Sequence, residues 1–335
     1  MDPTLPTELD DAALFDRLSA VRGALLSAIG QRIVGQHAVI EQLLTALFAD
    51  GHCLFVGVPG LAKTLLVTTT ARALGLASGR IQFTPDLMPA DITGTEVLEE
   101  DRSTGRRVMR FLPGPIFTNL LLADEINRTP PRTQAALLEA MQERRVTAGG
   151  ETRSLPSPFL VFATQNPIEQ EGTYRLPEAQ LDRFMFSVDV GYPSEAEEVE
   201  VVDRTSASPG APIAPVLDRD TLVALQGLVR RLPRSEDVVK YAVRLARASR
   251  PGPGASAFVQ KNVRWGAGPR ASQFLFLGAR VRAALNGHEV PHFDDVRAVA
   301  PAVLGHRVSL SFQAEAEGLG PQDVVRHLLE SVRTA

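Results

Sequence analysis

Two adjacent carboxylates, one of only three lysines, and the hydroxyl beside that lysine are the residues here whose types and spacing could do chemistry. Residues 57–64, GVPGLAKT, follow the apolar run CLFV (53–56) and precede a helical pattern. That is the strand–loop–helix setting of the phosphate-binding pattern G-x-x-x-x-G-K-[ST]. In such a setting backbone N–H groups and the positive helix end surround phosphate oxygens. Gly57, Pro59, Gly60, Leu61 and Ala62 would shape the loop, with Leu65 just inside the helix. Lys63 would reach the β- and γ-phosphates of a nucleoside triphosphate, and the Thr64 hydroxyl would ligate Mg²⁺. The second glycine of the pattern is Ala62 here, and alanine adopts a positive φ less readily, so the turn is expected to differ slightly.

NLLLADEINR (119–128) supplies the second half. Four apolar residues followed by Asp124 and Glu125 place two carboxylates at the carboxyl edge of a buried strand, where open α/β sheets bind ligands. Asp124 would hold Mg²⁺ through its water shell, and Glu125 would polarise an attacking water. ATQN (163–166) ends another apolar run, so Asn166 would stand beside the same edge, its amide within reach of the γ-phosphate and the water. ATP hydrolysis is the chemistry these three stretches imply together.

The elements that must position them follow from periodicity. Residues 9–29 carry Leu14, Leu18, Val21, Leu25 and Ile29 at helical steps, and 36–49 continue as a second helix. CLFV (53–56), IQF (81–83), NLLLAD (119–124), FLVFATQN (159–166) and FMFSVDVGYP (184–193) read as strands, with helical sequence at 63–75 and 132–143. Short apolar strands alternating with helices predict a parallel sheet covered on both faces. TSASPGAPIAPVLD (205–218) reads as a linker. Beyond it come helices at 219–231, 235–249, 271–286, 293–304 and 321–333, interrupted by a loop at 251–262. The chain is thus expected to divide into an α/β domain over 1–218 and an all-helical domain over 219–335.

Composition narrows the class. In 335 residues, 44% are apolar and 22% charged, ordinary values for a folded chain. No apolar run reaches the ~18–20 residues of a membrane span, and the acidic start MDPTLPTELDD is unlike a secretory signal. The single cysteine, Cys53, fits a reducing compartment, so a cytoplasmic location is expected. Net charge is −11 over residues 1–218 and +7 over 219–335, which suggests complementary faces in an assembly or a local basic patch. Aromatic residues, at 6%, are poor material for base stacking, so a nucleic-acid machine is disfavoured.

With these motifs in order, the chain resembles the MoxR family of AAA+ ATPases. GVPGLAKT, LLLADEINRTPPRTQAALLEAMQE, RVTAGG, PFLVFATQNPIEQEGTYRLPEAQLDRF and GPRAS carry the resemblance, which is dense from IVGQ (33–36) to 193 and weaker out to about 315. The resemblance implies an AAA+ core with a five-stranded parallel sheet and a helical lid. It assigns Asn166 to sensor 1, Arg183 of EAQLDRF to an arginine finger offered to the neighbouring subunit, and Arg270 of GPRAS to sensor 2. It places Val34 and Gln36 near adenine and makes Arg128 a candidate for the subunit interface. Two insertions go with it, a helix 2 insert over 83–117 and a hairpin over 144–156, the second also signalled by alternation around Gly149–Gly150. It further implies ATP and Mg²⁺, a hexameric ring, and a von Willebrand factor A-domain partner or other client whose complexes it remodels or matures. A chelatase-like motor subunit for metal insertion is the alternative.

One pattern points elsewhere. HEVPH (288–292) matches the zinc-protease pattern H-E-x-x-H, which requires both histidines on one face of a continuous helix. Pro291 disfavours helix at Val290, so a loop is expected there instead.

Overall fold

Apolar runs bounded by glycine or polar residues become the buried strands of one sheet. The computed structural model describes residues 10–100, 107–168, 173–206 and 212–334. Helices α1 (Asp11–Gly30) and α2 (His37–Phe48) precede β1 (Cys53–Val56), α3 (Lys63–Ala73) and β2 (Ser78–Gln82). After α4 (Pro89–Thr93) come a hairpin of β3 (Gly94–Glu100) and β4 (Arg107–Pro113), then β5 (Leu120–Asp124) and α5 (Pro131–Glu143). A second hairpin, β6 (Arg145–Ala148) and β7 (Glu151–Ser154), leads to β8 (Leu160–Gln165), α6 (Glu178–Leu181), β9 (Phe186–Asp189) and α7 (Glu195–Ser206). The remainder comprises α8 (Arg219–Arg231), α9 (Glu236–Ala248), α10 (Ala257–Asn262), β10 (Val263–Trp265), α11 (Pro269–Leu285), α12 (Phe293–Leu304), β11 (Ser309–Leu310), α13 (Phe312–Ala316) and α14 (Pro321–Ser331).

The main sheet has the order β2–β5–β8–β1–β9, with every pair parallel. All carboxyl ends therefore lie along one edge. β5 and β8 are apolar throughout their shared register, Leu120–Ala123 against Leu160–Ala163, because both their faces are covered. On one face Leu54, Leu121 and Val161 pack with Leu137, Leu138 and Met141 of α5 and with Phe159 and Phe184. Cys53 of β1 is fully buried, and burial pushes its thiol up, away from the reactive thiolate. In the second hairpin Gly149 and Gly150 both turn with positive φ, 61° and 75°, as a two-residue hairpin turn demands. Residues 83–117, expected as a helix 2 insert, contain α4 and the β3–β4 hairpin, and 101–106 lie outside the described residues.

Contacts divide the chain into two units. Among the described residues, one takes those within 29–39 and 50–214 with the main sheet; the other takes those within 10–28, 40–49 and 215–334. Within the second unit α11 is the axis, packed against α8, α9 and α12. Asp218, Ser235 and Ser256 cap α8, α9 and α10, each side chain accepting a backbone N–H of the first turn.

The structure adds elements that the periodicity does not predict. The expected loop over 251–262 contains α10, nucleated by the Ser256 cap, and the helical part also holds the short β10–β11 ribbon. Helix α7 occupies sequence with no expected element and runs into the start of the expected linker; it buries no residue, and its apolar side chains Val199, Val201 and Val202 are exposed. Of that linker, residues 207–211 lie outside the described residues, as do residues 1–9 and 169–172. HEVPH lies between α11 and α12, with His292 capping α12, so its two histidines do not share a helix.

Candidate active site at the carboxyl edge of the sheet

The phosphate-loop pattern folds as a tight turn between β1 and α3. Gly57 has no space for a side chain, since a Cβ there would stand 2.6 Å from the Val190 carbonyl oxygen. Ala62, just before α3, adopts φ 54°, ψ 17°. It thus holds a left-handed conformation natural to glycine, at a cost of roughly 1–2 kcal/mol, so the expected difference in the turn takes the form of strain. The Lys63 ammonium donates to the carbonyl oxygens of Gly57 and of Val58, the latter at 2.7 Å. Partial burial holds that ammonium below its ordinary pKa, against the opposing pull of Asp124 and then Glu125.

Across the loop, β5 delivers both carboxylates. Asp124 is buried, and Thr64 Oγ1 donates to its Oδ2 at 3.2 Å. Glu125 also turns left-handed, at φ 56°, as the chain leaves the strand. Thr164 of β8 ties the two residues together: its hydroxyl donates to Asp124 Oδ1 at 2.6 Å and accepts the Glu125 backbone N–H at 2.8 Å. The Glu125 carboxylate is held through Oε2 by Gln82 Nε2 (3.1 Å) and by Arg128 Nη1 (3.0 Å). Arg80 Nη2 donates to Asp124 Oδ2 at 2.7 Å and to Gln82 Oε1 at 2.8 Å. Asn166 Oδ1 accepts the Ile168 N–H at 3.1 Å, which leaves its NH₂ group to serve a ligand.

These groups line one cavity of about 420 Å³, bounded by residues 59–65, Arg80, Gln82, Asp124, Glu125, Thr164 and Asn166. The sequence-predicted Lys63, Thr64, Asp124, Glu125 and Asn166 are brought together there. Arg80, Gln82 and Thr164 are additions that the motifs do not announce. Gln36 borders the loop, its Nε2 donating to the Leu61 carbonyl at 3.4 Å, while its Oε1 is buried without a hydrogen-bond partner. Val34, two residues before it, is half-buried.

Arg183 and Arg270 do not line this cavity. Arg183 lies ahead of β9 and lines a second, polar cavity of about 340 Å³ with Glu139, Glu143 and Arg145. Its guanidinium has no hydrogen bond or ion pair among the described residues. Arg270 is the second residue of α11, in the other compact unit.

A loop of amide donors with a lysine, a hydroxyl beside a buried carboxylate, and a second carboxylate next to a free amide can bind a phosphate chain with its metal and activate a water. Among the described residues no three His, Cys, Asp or Glu side chains form a metal site by themselves. A metal held by one hydroxyl, one carboxylate, water and phosphates needs no such cluster.

Comparison with known proteins agrees. The family described as ATPase family associated with various cellular activities (AAA) matches residues 52–186, and the AAA lid domain matches residues 255–328. Chaperone MoxR1 of Mycobacterium tuberculosis is 45% identical over 301 residues, spanning 90% of this chain and 78% of the relative. Protein MoxR of Methylorubrum extorquens is 33% identical, covering 99% of this chain and 97% of its own. A crystal structure of a candidate ATPase from Cytophaga hutchinsonii superposes with a TM-score of 0.88 at 36% identity, over 96% of this chain and 97% of that one.

Proposed function

Since the chain belongs to the MoxR family of AAA+ ATPases, we propose that it hydrolyses ATP in the cavity at the carboxyl edge of β5 and β8 and uses the turnover to remodel or mature protein complexes. The observation that carries the reading is the convergence of Lys63, Thr64, Asp124, Glu125 and Asn166 on that one cavity.

In this reading the Lys63 ammonium exchanges its Gly57 and Val58 carbonyl partners for β- and γ-phosphate oxygens, and the loop amides hold the rest of the chain. Gln36 Oε1, buried and unpartnered, suits the exocyclic amine of adenine, with Val34 against the base. The donor set of Thr64 Oγ1 and Asp124 Oδ2 fits Mg²⁺, a hard cation that takes oxygen ligands and keeps part of its water. When bound, that ion supplies neutralisation of charge on the phosphates. Glu125 accepts the proton of the attacking water, and its carboxylate leaves Gln82 and Arg128 to do so. The Asn166 NH₂ group orients that water and senses the γ-phosphate. The Thr164 hydroxyl fixes the spacing between the metal-holding and water-activating carboxylates. Arg183, outside the cavity and without a partner among the described residues, suits the site of an adjoining subunit, which makes a ring, by family resemblance a hexamer, the working form. Of the expected domain over 1–218, residues 29–39 and 50–214 then carry the nucleotide core, α1 and most of α2 clustering instead with the helical unit, and 219–335 act as the lid, with Arg270 answering the γ-phosphate. A cytoplasmic protein of the von Willebrand factor A-domain type, or another client, receives the motion.

Nucleotide titration and turnover of two variants test the reading. Lys63→Ala is expected to lose ATP binding. Glu125→Gln is expected to bind ATP normally while turnover falls roughly 10²–10⁴-fold, the usual worth of a general base. Wild-type turnover by Glu125→Gln would remove this cavity as the site of hydrolysis.

A further inference from the structure

The carboxylate assigned to the metal already carries a cation. Asp124 Oδ2 accepts from Thr64 Oγ1 at 3.2 Å and from Arg80 Nη2 at 2.7 Å, while Oδ1 is taken by Thr164 at 2.6 Å. The guanidinium therefore sits on the one oxygen that Asp124 shares with Thr64. We propose that Arg80 is a built-in stand-in for the divalent cation: it neutralises Asp124 while the nucleotide is absent, keeps bare divalent ions off the site, and is displaced when the triphosphate brings its metal. The inference rests on the reading of this cavity as the ATP site.

The geometry supplies both halves of such a device. Asp124 is buried, with its side chain 12% exposed, and a buried carboxylate without a counter-charge is costly. The Arg80 side chain is 53% exposed and comes from the start of the cavity's rim on β2, so it can swing into solvent or toward phosphate at little cost. A guanidinium and a divalent ion on the same oxygen repel each other strongly, and the phosphates are what tips the exchange, since they add the negative charge that holds the metal. Displacement has a second effect. Arg80 shares Gln82 with Glu125: Gln82 Oε1 accepts from Arg80 at 2.8 Å and its Nε2 donates to Glu125 Oε2 at 3.1 Å. Removing Arg80 frees one end of the amide that tethers the base. Metal arrival and release of the base become one event.

The test titrates Mn²⁺, as a spectroscopically visible stand-in for Mg²⁺, into the nucleotide-free full chain and follows free Mn²⁺ by electron paramagnetic resonance. Wild type is expected to bind Mn²⁺ poorly without nucleotide. Arg80→Ala and Arg80→Gln should bind it about tenfold more tightly, corresponding to one lost unit of charge opposition, and adding Asp124→Asn should abolish the gain. Arg80→Lys should behave as wild type. Two variants of different volume guard against a folding defect, and ATP binding in chelator is measured on the same preparations. Unchanged Mn²⁺ affinity in folded, ATP-binding Arg80→Ala and Arg80→Gln would overturn the proposal. Failure of wild type to bind ATP at all would overturn instead the reading of the site on which it rests.

Discussion

His52 lies just before β1, at the amino end of the sheet, and Asp124 closes β5 at the carboxyl end; both are buried polar side chains with their hydrogen-bonding capacity in use. Apart from the Arg144–Asp50 ion pair at 3.3 Å, the partners at the amino end are mostly main chain. The Val161 N–H donates to His52 Nδ1 at 3.0 Å, so Nε2 carries the proton and donates to the Met141 carbonyl at 3.2 Å. Arg144 donates to the carbonyls of Phe159 and Asp50, and Asn119 to that of Pro158. At the carboxyl end the two carboxylates are held by other side chains, Thr64, Arg80 and Thr164 on Asp124 and Gln82 and Arg128 on Glu125, while Lys63 rests on the Gly57 and Val58 carbonyls. A main-chain partner cannot leave without local unfolding, whereas a side-chain partner can rotate away. One end of the sheet is cross-linked; the other is wired to be rewired by a ligand.

Arg183 breaks that division, because it precedes β9 at the amino end and yet has no partner among the described residues. If it completes a neighbour's site, Arg183→Ala should lower turnover by roughly 10³–10⁵-fold, the usual worth of an arginine finger. A mixture of Arg183→Ala with Glu125→Gln subunits should then recover activity in proportion to interfaces that pair an intact Glu125 with a neighbour's Arg183. A mixture that stays inactive while subunits exchange would show that Arg183 does not complete a neighbour's site.

The cross-linked end should reveal itself in the pH dependence of stability. Burial first, then the Arg144 charge, pushes the pKa of His52 down to about 3 from 6.5. The unfolded chain takes up a proton below about pH 6.5 and the folded chain does not until about pH 3, so this group's stabilisation is present above 6.5 and lost as pH falls. Between pH 7 and 4.5 the loss should be about 2–3 kcal/mol. Denaturant unfolding at both pH values should show that slope, and His52→Gln should be less stable at pH 7 but flatter by the same amount. An equal slope in the variant would mean that His52 is not held neutral.

Thr164→Val sharpens the contrast from the other side. It removes a hydroxyl with two charged or main-chain partners, and about 1–2 kcal/mol of stability should go with it. Turnover should fall as well, because Glu125 is no longer spaced from Asp124; a stability loss with unchanged kcat would move Thr164 to the structural class. The smallest effect is expected at Ala62. Ala62→Gly relieves the left-handed alanine and should raise stability in thermal unfolding by up to about 1 kcal/mol. A destabilised Ala62→Gly would show that loop entropy outweighs the strain.

The parallel sheet and five of its neighbouring polar groups were legible because each motif is continuous in sequence: GVPGLAKT, the Asp124–Glu125 step and ATQN all follow an apolar run that must be a strand. Arg80 and Gln82 were not, because their meaning comes from pairing. Only when β2 lies beside β5, with Gln82 in register with Asp124, do residues more than 40 positions apart meet. SGRIQ carries a single buried side chain, Ile81, so its pattern did not mark two residues facing a site. Thr164 was hidden inside a motif read for its asparagine, and α7 was missed because it buries nothing.

The single cysteine has a practical corollary. Cys53 is sealed within β1 and its thiol is held protonated by burial, so the chain offers a natural background for labelling chemistry. A cysteine placed on the exposed β3–β4 hairpin, at Leu98 or Met109, would react ahead of Cys53. A fluorophore or spin probe there could report the hairpin's movements through each turnover, with the native sequence otherwise untouched.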